Sequence, residues 1–552
     1  MADDFNTAQK KNPHLKKYVE RFKKTYMKVP DYITDIGGLG DIKGIKYPNV
    51  IYPIGDPLFI HVYGSANQRT RYIAIEPKLD TATERAKYFE ILDKILEYAP
   101  YSEIPESDDE FSKVLIDIFD TVTKVDKNAN KATKKSKFGF VDKLTNSSAI
   151  PITKVQRDKF VYLLRRDLIG IGNLEPIKRD PTIEDIHVIG PKNTQLVHKT
   201  FDMLPTNIVW EDDGDMSSYL KNLCERMGRP VSDATPIVDG SMPDGSRINI
   251  LYSNDVSLKG PSFTIRKFSD TPTSITQIIS WGTMSPEIAA YLWLCLEYGM
   301  SIFVCGETAS GKTTTLNAIM PFIKPKSKVF SCEDTAEVKP PNPVWQQLLT
   351  RERGPEESRV TLFDLLRAAL RSRPNYIIVG EIRSVEGAVA FQAMQTGHPV
   401  LSTFHAANVR KMIQRLTGDP INIPQTFMDN LNIALFQLAV YTRGKFLRRV
   451  VSVEEIEGYY KEVDGVITRG VFEWDPQKDI HNFTGLNNSY ILEDKIATVA
   501  GYEDPREIYD ELNLRVRILE EMIAREIYDY HDVLDIIWKF YENGLEGLPF
   551  PI

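Results

Sequence analysis

With 552 residues, 42% of them apolar and 26% charged, the chain is long enough for about three domains with sizeable cores. Its formal net charge of −8 argues against a general nucleic-acid binder and leaves room only for local basic patches, so no nucleic-acid partner is expected. Cys224, Cys295, Cys305 and Cys332 lie on apolar segments with no C-x-x-C pair among them, which argues against a disulfide framework or a zinc knuckle and predicts four buried thiols in a reducing compartment.

Residues 1–11 are polar, with no apolar run behind them, so no signal peptide is expected. Residues 1–30 read as a basic amphipathic segment, with Asn12 as N-cap and Pro13 in the first turn of a helix. Leu15, Tyr18, Val19, Phe22 and Tyr26 share one face of it, and Lys16, Lys17, Arg21, Lys23 and Lys24 cover much of the remainder. Residues 14–26 are therefore a candidate contact to an anionic membrane surface or an acidic partner, the alternative being a solvated helix packed on its own domain.

Residues 31–122 read as a small α+β module. Strand-like runs at 49–53, 58–62 and 71–75 precede a helix at 81–98 and an acidic patch at 106–110. Residues 123–150 carry a cluster of lysines and read as a linker or loop. Residues 151–268 form a second α+β domain, with a helix at 154–168, strands at 195–198, 208–210, 247–251 and 262–266, and a helix at about 217–227. A linker at 269–276 leads into the last domain, 277–552. Its most apolar stretch, 288–305, is broken by Glu297 and Gly299, and reads as a buried helix and a core strand rather than a membrane span.

That strand runs into Gly306, Glu307, Thr308, Ala309, Ser310, Gly311, Lys312 and Thr313, with Thr314 behind them. The spacing is G-x-x-x-x-G-K-[ST], a phosphate-binding loop. Its glycines permit a turn whose N–H groups point inward at phosphate oxygens, and the helix that follows adds its positive end. Lys312 brings a point charge to the β/γ phosphates and Thr313 a hydroxyl ligand for Mg²⁺. ATP and Mg²⁺ are accordingly the expected cofactors.

Three further strand ends add chemistry. The strand 328–332 closes on Glu333, with Glu337 shortly after; Glu333 is the first candidate for orienting or deprotonating the attacking water and Glu337 the second. Residues 376–381 are four apolar residues, a glycine and Glu381, the pattern of a carboxylate that holds Mg²⁺ through water; Arg383 follows on the same side of an extended chain. The strand near 400–404 is bracketed by His398 and His405, either of which could sense a γ-phosphate.

Together these segments resemble the secretion ATPase superfamily of type II and type IV systems. Residues 306–313 match its Walker A box, 333–337 its Asp box, 376–383 its Walker B with a glutamate, and 396–406 its His box. Residues 236–247 and 260–268 are similar to segments of that family's amino-terminal domain, so the likeness spans about residues 150–550. Within the family, 185–190, 197–199, 206–208, 443–450 and the helical tail 502–541 look most like the archaeal branch, above all the archaellum motor ATPase. The four-cysteine zinc insertion of many bacterial type II enzymes is missing from the sequence.

The resemblance implies an α/β fold, a RecA-like P-loop ATPase domain with a parallel-sheet core preceded by α+β amino-terminal domains. It implies that Arg247 and Arg266, helped by Arg226 and Arg229, complete the site, and that Lys312, Glu333, Glu381 and His405 are catalytic. It implies a homo-hexamer acting on a polytopic membrane platform and accessory motor proteins of a filament machine, at the cytoplasmic face of the cell membrane. Alternatives are a pilus or secretion ATPase without rotation, a RecA-like nucleic-acid motor, and a nucleotide switch that does not turn over.

Overall fold

The computed structural model describes residues 2–34, 45–101, 105, 107–126, 149–267, 271–351, 356–442 and 445–552. The chain forms two units, Met1–Phe268 and Ser269–Ile552. Most of the lysine-rich segment, 127–148, lies outside the described residues; its two flanks, Thr123–Val125 and Ile150–Ile152, pair as parallel strands.

Besides that pair, the first unit holds two larger sheets. One has four strands in the order Asp31–Tyr32, Asn49–Pro53, Phe59–Ser65 and Gln68–Ile75; the other runs Ile237–Ser241, Arg247–Leu251, Ser262–Arg266, Ile183–Ile189, Thr194–His198 and Asp202–Pro205. Residues 31–122 and 151–268 are not separate domains, because a continuous apolar core joins Val50, Tyr52 and Tyr72 to Leu196, Ile248 and Phe263. At its centre the buried Asp180 accepts hydrogen bonds from the Tyr52 hydroxyl at 2.8 Å, the Tyr72 hydroxyl at 2.9 Å and the Thr182 amide at 2.9 Å. Lys267 donates to the carbonyl of Ile177 at 3.0 Å and to that of Asp180, and burial pulls its ammonium down to about 8. A polar group buried this deeply is tolerated because its acceptors are satisfied; the two tyrosines come from the four-stranded sheet while Asp180 leads into the strand Ile183–Ile189, so the bonds tie the two sheets together.

Several local expectations change. A helix Ala2–Lys11 precedes Pro13–Tyr26, so the Asn12 side chain turns back to the Ala8 carbonyl instead of capping forward. Of the acidic patch at 106–110, Asp108, Asp109 and Glu110 are the first turn of an unforeseen helix, Asp108–Val122, where they complement its positive end, while Glu106 lies outside the described residues. The strand placed at 208–210 is Asp202–Pro205, while Ile208 and Trp210 fill the core from an irregular segment.

The apolar face of Pro13–Tyr26 is spent inside the unit. Leu15 and Val19 pack with Phe5 on Ile51, Phe59 and Ile75, and Phe22 lies edge-on to His61 and Tyr63. Insertion of that face into a bilayer is therefore excluded in this fold, and only the lysine-bearing side is left to meet a membrane. No helix among the described residues is long and apolar enough to cross one.

The second unit is built on a nine-stranded sheet. Six strands are parallel, in the order Trp345–Leu349, Val329–Glu333, Tyr376–Ile382, Val400–Phe404, Ile302–Gly306 and Ile433–Thr442. This is the α/β, RecA-like core. The remaining three, Lys445–Tyr460, Gly465–Asp475 and Ile480–Phe483, add an antiparallel wing to the expected parallel core.

Helix Pro286–Glu297 is apolar on every side because it is enclosed: Trp293 stacks on Phe322 at 5.0 Å and donates to the Tyr541 hydroxyl at 2.9 Å, from the tail helix Tyr530–Asn543. The expected linker ends early, since Ser274 and Thr276 donate to the carbonyls of Tyr528 and Ile527 within this unit. All four cysteines are buried, and none is in a disulfide.

Candidate active site

Parallel pairing brings the carboxyl ends of four strands to one edge of the sheet. Cys305 lies opposite Phe404, Ile382 also opposite Phe404, and Cys332 opposite Val379, so the phosphate loop, His405, Glu381 and Glu333 all emerge on the same side. His398 precedes the strand Val400–Phe404 and so sits at the opposite edge, where Nδ1 pairs with the Thr396 hydroxyl at 3.2 Å. Of the two histidines, only His405 is at the site.

The loop is held in shape before any phosphate arrives. Gly311 has φ +93° and starts the helix Lys312–Ile319, a conformation that favours glycine. A Cβ on Gly306 would stand 2.2 Å from the Gln437 carbonyl oxygen. The Ser310 hydroxyl donates to the Glu307 carbonyl at 2.9 Å, and the largely buried Lys312 ammonium donates to that same oxygen at 2.9 Å. A cavity of about 520 Å³ opens over Gly306, Glu307 and Thr308, closed on its far side by His405, Lys411 and Arg415. Its cationic lining suits a polyphosphate.

The two candidate acids of the Asp box, Glu333 and Glu337, have different hydrogen-bond partners. Glu333 is buried, and its carboxylate accepts from the Glu337 amide at 2.6 Å, the Val338 amide at 2.8 Å and the Gln347 side chain at 3.0 Å. Burial raises its pKa, and these donors oppose the rise. Glu333 thus ties down the 334–338 loop. Glu337 is half-buried, and its Oε2 accepts from the Thr313 hydroxyl at 3.3 Å, beside the predicted metal ligand. Asn317 secures it, donating to the Glu337 carbonyl at 2.9 Å while accepting from the Lys339 amide.

Glu381 follows a bulge at Gly380, whose carbonyl is taken by the Thr403 hydroxyl at 2.7 Å. Its Oε2 pairs with Arg383. Its Oε1 lies 3.0 Å from His405 Nε2 without hydrogen-bond alignment, and is a buried acceptor with no hydrogen-bond partner. A buried carboxylate oxygen with no hydrogen-bond donor, at the same sheet edge as the phosphate loop, fits a hydrated Mg²⁺, which takes oxygen ligands and keeps several waters. Burial, together with the charges of Lys312, Arg383 and Arg415, lowers the His405 pKa despite the opposing effect of Glu381.

The arginines of the first unit divide. Arg226 donates to the carbonyls of Gly170 and Ile169, and Arg229 to that of Asp239. Arg247 and Arg266 are exposed and directly opposite each other on neighbouring strands, with Arg247 also 3.2 Å from Asp239. Like charges placed face to face on a sheet are destabilising.

Gln437, Lys411, Arg415 and Arg448 were not singled out from sequence. Only Gln437 left a trace there, as a lone polar residue in the apolar run Ile-Ala-Leu-Phe-Gln-Leu-Ala-Val. Arg415 donates to the His405 carbonyl and lies over the Phe404 ring at 5.1 Å, and Arg448 Nε donates to the Ala309 carbonyl at 3.2 Å.

A phosphate loop at the carboxyl edge of a parallel sheet, with acids from two neighbouring strands emerging beside it, makes this a P-loop ATPase. Residues 173–430 match the family model described as "Type II/IV secretion system protein". An uncharacterised protein of Methanocaldococcus jannaschii is 71% identical over 551 residues, covering 100% of this chain and 98% of that one. The conjugal transfer protein TrbB of Rhizobium radiobacter is 31% identical over 233 residues, 41% of this chain and 70% of its own. Among solved structures, the pilus retraction motor PilT with bound ADP shares 18% identity over 67% of this chain and 94% of its own, with a TM-score of 0.38. The chain belongs to the type II/IV secretion system protein family.

Proposed function

We propose that this ATPase is the ring motor of an archaeal filament machine of type IV pilus kind, the archaellum, powering subunit assembly and rotation. It acts as a homo-hexamer on a polytopic membrane platform and accessory motor proteins, at the cytoplasmic face of the cell membrane. The observation that carries the reading is the convergence of loop, Asp-box acid, Walker B glutamate and His-box histidine on one sheet edge. The 71% identical relative from an archaeon supports the branch. The conjugal transfer relative supports the second reading, a secretion or pilus ATPase without rotation.

At the site, Mg²⁺ would be held by the Thr313 hydroxyl and, through water, by Glu381; bound there it would neutralise charge developing on the phosphates. Backbone N–H groups of 307–313, with Thr314 in the first helical turn, cradle the phosphates, and Glu337 orients the attacking water. Arg247 and Arg266 supply further positive charge to the γ-phosphate, in their own chain or a neighbour's; their facing placement on adjacent strands is eased by an anion shared between them. The decisive experiment replaces the chromosomal copy in the host with Lys312→Ala or with Arg247→Ala and images the cells. Loss of swimming together with surface filaments is expected. Motile, filament-bearing cells would end the archaellum reading, and loss of other filaments or of secretion alone would establish the second.

The lysine-bearing side of Pro13–Tyr26 is the proposed membrane contact. Arg21, Lys23 and Lys24 are exposed there, whereas Lys17 is engaged by Asp80 at 3.1 Å. Co-sedimentation with anionic vesicles is expected to weaken steeply with salt, and to fall on Arg21, Lys23 and Lys24→Gln. Equal sedimentation of the substituted protein would remove the contact.

A further inference from the structure

The phosphate loop works only if its N–H groups point inward, which turns its carbonyls outward into the fold, where each needs a donor. Gln437 meets that need. It is buried on the strand Ile433–Thr442, immediately beside the loop strand and opposite Gly306. Its Nε2 donates to the Ser310 carbonyl at 2.8 Å, and its Oε1 accepts from the Thr315 hydroxyl at 2.8 Å. One amide therefore ties the crown of the loop to the first turn of the helix behind it. The backbone is as close: a Cβ on Gly306 would meet the Gln437 carbonyl, and one on Gly311 would stand 3.0 Å from Nε2. A bulge between Phe436 and Gln437, where the strand pairs with Lys445–Tyr460, sets the side chain at this height.

We propose that Gln437 is a positioning residue of the nucleotide site, a strut that holds the empty loop in its phosphate-ready shape and so sets nucleotide affinity. The inference rests on the loop holding ATP. Without the strut, the loop must be ordered by the nucleotide itself, and that cost appears in binding. Chemistry at saturation is spared, because Gln437 faces the outer side of the loop and touches no reacting atom.

The test compares wild type, Gln437→Leu, Gln437→Glu and Thr315→Val in the full-length chain, with Lys312→Ala as a control. Fluorescent ADP and ATP analogues report Kd, phosphate release reports KM and kcat, and a melt without nucleotide reports Tm. Glutamate keeps an acceptor for Thr315 but cannot donate to Ser310. Expected are Kd and KM raised about tenfold in both Gln437 variants, with kcat within about threefold of wild type. Thr315→Val should shift affinity the same way, and adding it to Gln437→Leu should cost nothing further, since both remove one link. Kd and KM within about twofold of wild type in Gln437→Glu and Thr315→Val would overturn the proposal whatever happens to Tm, and those two variants decide if Gln437→Leu does not fold. A Lys312→Ala control that binds nucleotide like wild type would instead overturn the phosphate-loop reading beneath it.

Discussion

Replacing Lys312 by alanine is expected to lower steady-state ATP turnover by about 10²–10³-fold, the loss typical of one preorganised electrostatic contact to a transition state. The ammonium is already inside the site, donating to the Glu307 carbonyl at 2.9 Å. A triphosphate offers it a charged acceptor in place of a neutral one, an exchange that favours the bound state. Phosphoryl transfer asks little of a protein besides positioning and neutralisation, so losing the cation nearest the β/γ bridge removes a large share of what this chain contributes. The fold should survive, because alanine is a good helix former at the start of Lys312–Ile319. Phosphate-release assays at saturating Mg·ATP, with a melt to confirm folding, give the answer. Turnover within a few-fold of wild type would reject the loop as the catalytic centre.

Glu337→Gln is expected to cut kcat by about 10²–10⁴-fold while nucleotide Kd changes little, because a carboxamide cannot take the proton of the attacking water but fills the same space. Glu333→Gln should behave differently. Its carboxylate secures the Glu337 and Val338 amides and the Gln347 side chain, so removing the charge loosens the loop that carries Glu337. Loss of activity should then come with a lower Tm, since a hydrogen-bond hub is weakened inside the core. Kinetics and melts on the two variants together separate the roles. A Glu333→Gln protein with wild-type Tm and kcat down 10²-fold or more, beside an active Glu337→Gln, would restore Glu333 as the base.

The motifs of the second unit were legible because each is local. A phosphate loop is eight consecutive residues whose spacing is dictated by backbone geometry, and apolar runs that end on an acid mark buried parallel strands. The same locality explains the misses. The acids at 106–110 look identical in sequence whether they cap a helix or decorate a loop. The antiparallel wing 445–483 alternates too irregularly, through its bulges, to announce itself. The split between 31–122 and 151–268 followed composition, while the Tyr52, Tyr72 and Asp180 contacts that erase it lie 108 and 128 positions apart.

By itself the amino-acid order determined that this protein has a phosphate loop, which strands carry its acids and its histidine, and which family it belongs to, because those features are written within a turn or a strand. Only the tertiary structure decided that Glu333 holds a loop while Glu337 faces Thr313, that His398 stands at the opposite edge, that Arg226 and Arg229 donate to backbone carbonyls, and that Gln437 reaches the phosphate loop from an adjacent strand. Each of those depends on which hydrogen bonds a side chain has already made, and that is settled by neighbours far away in the chain.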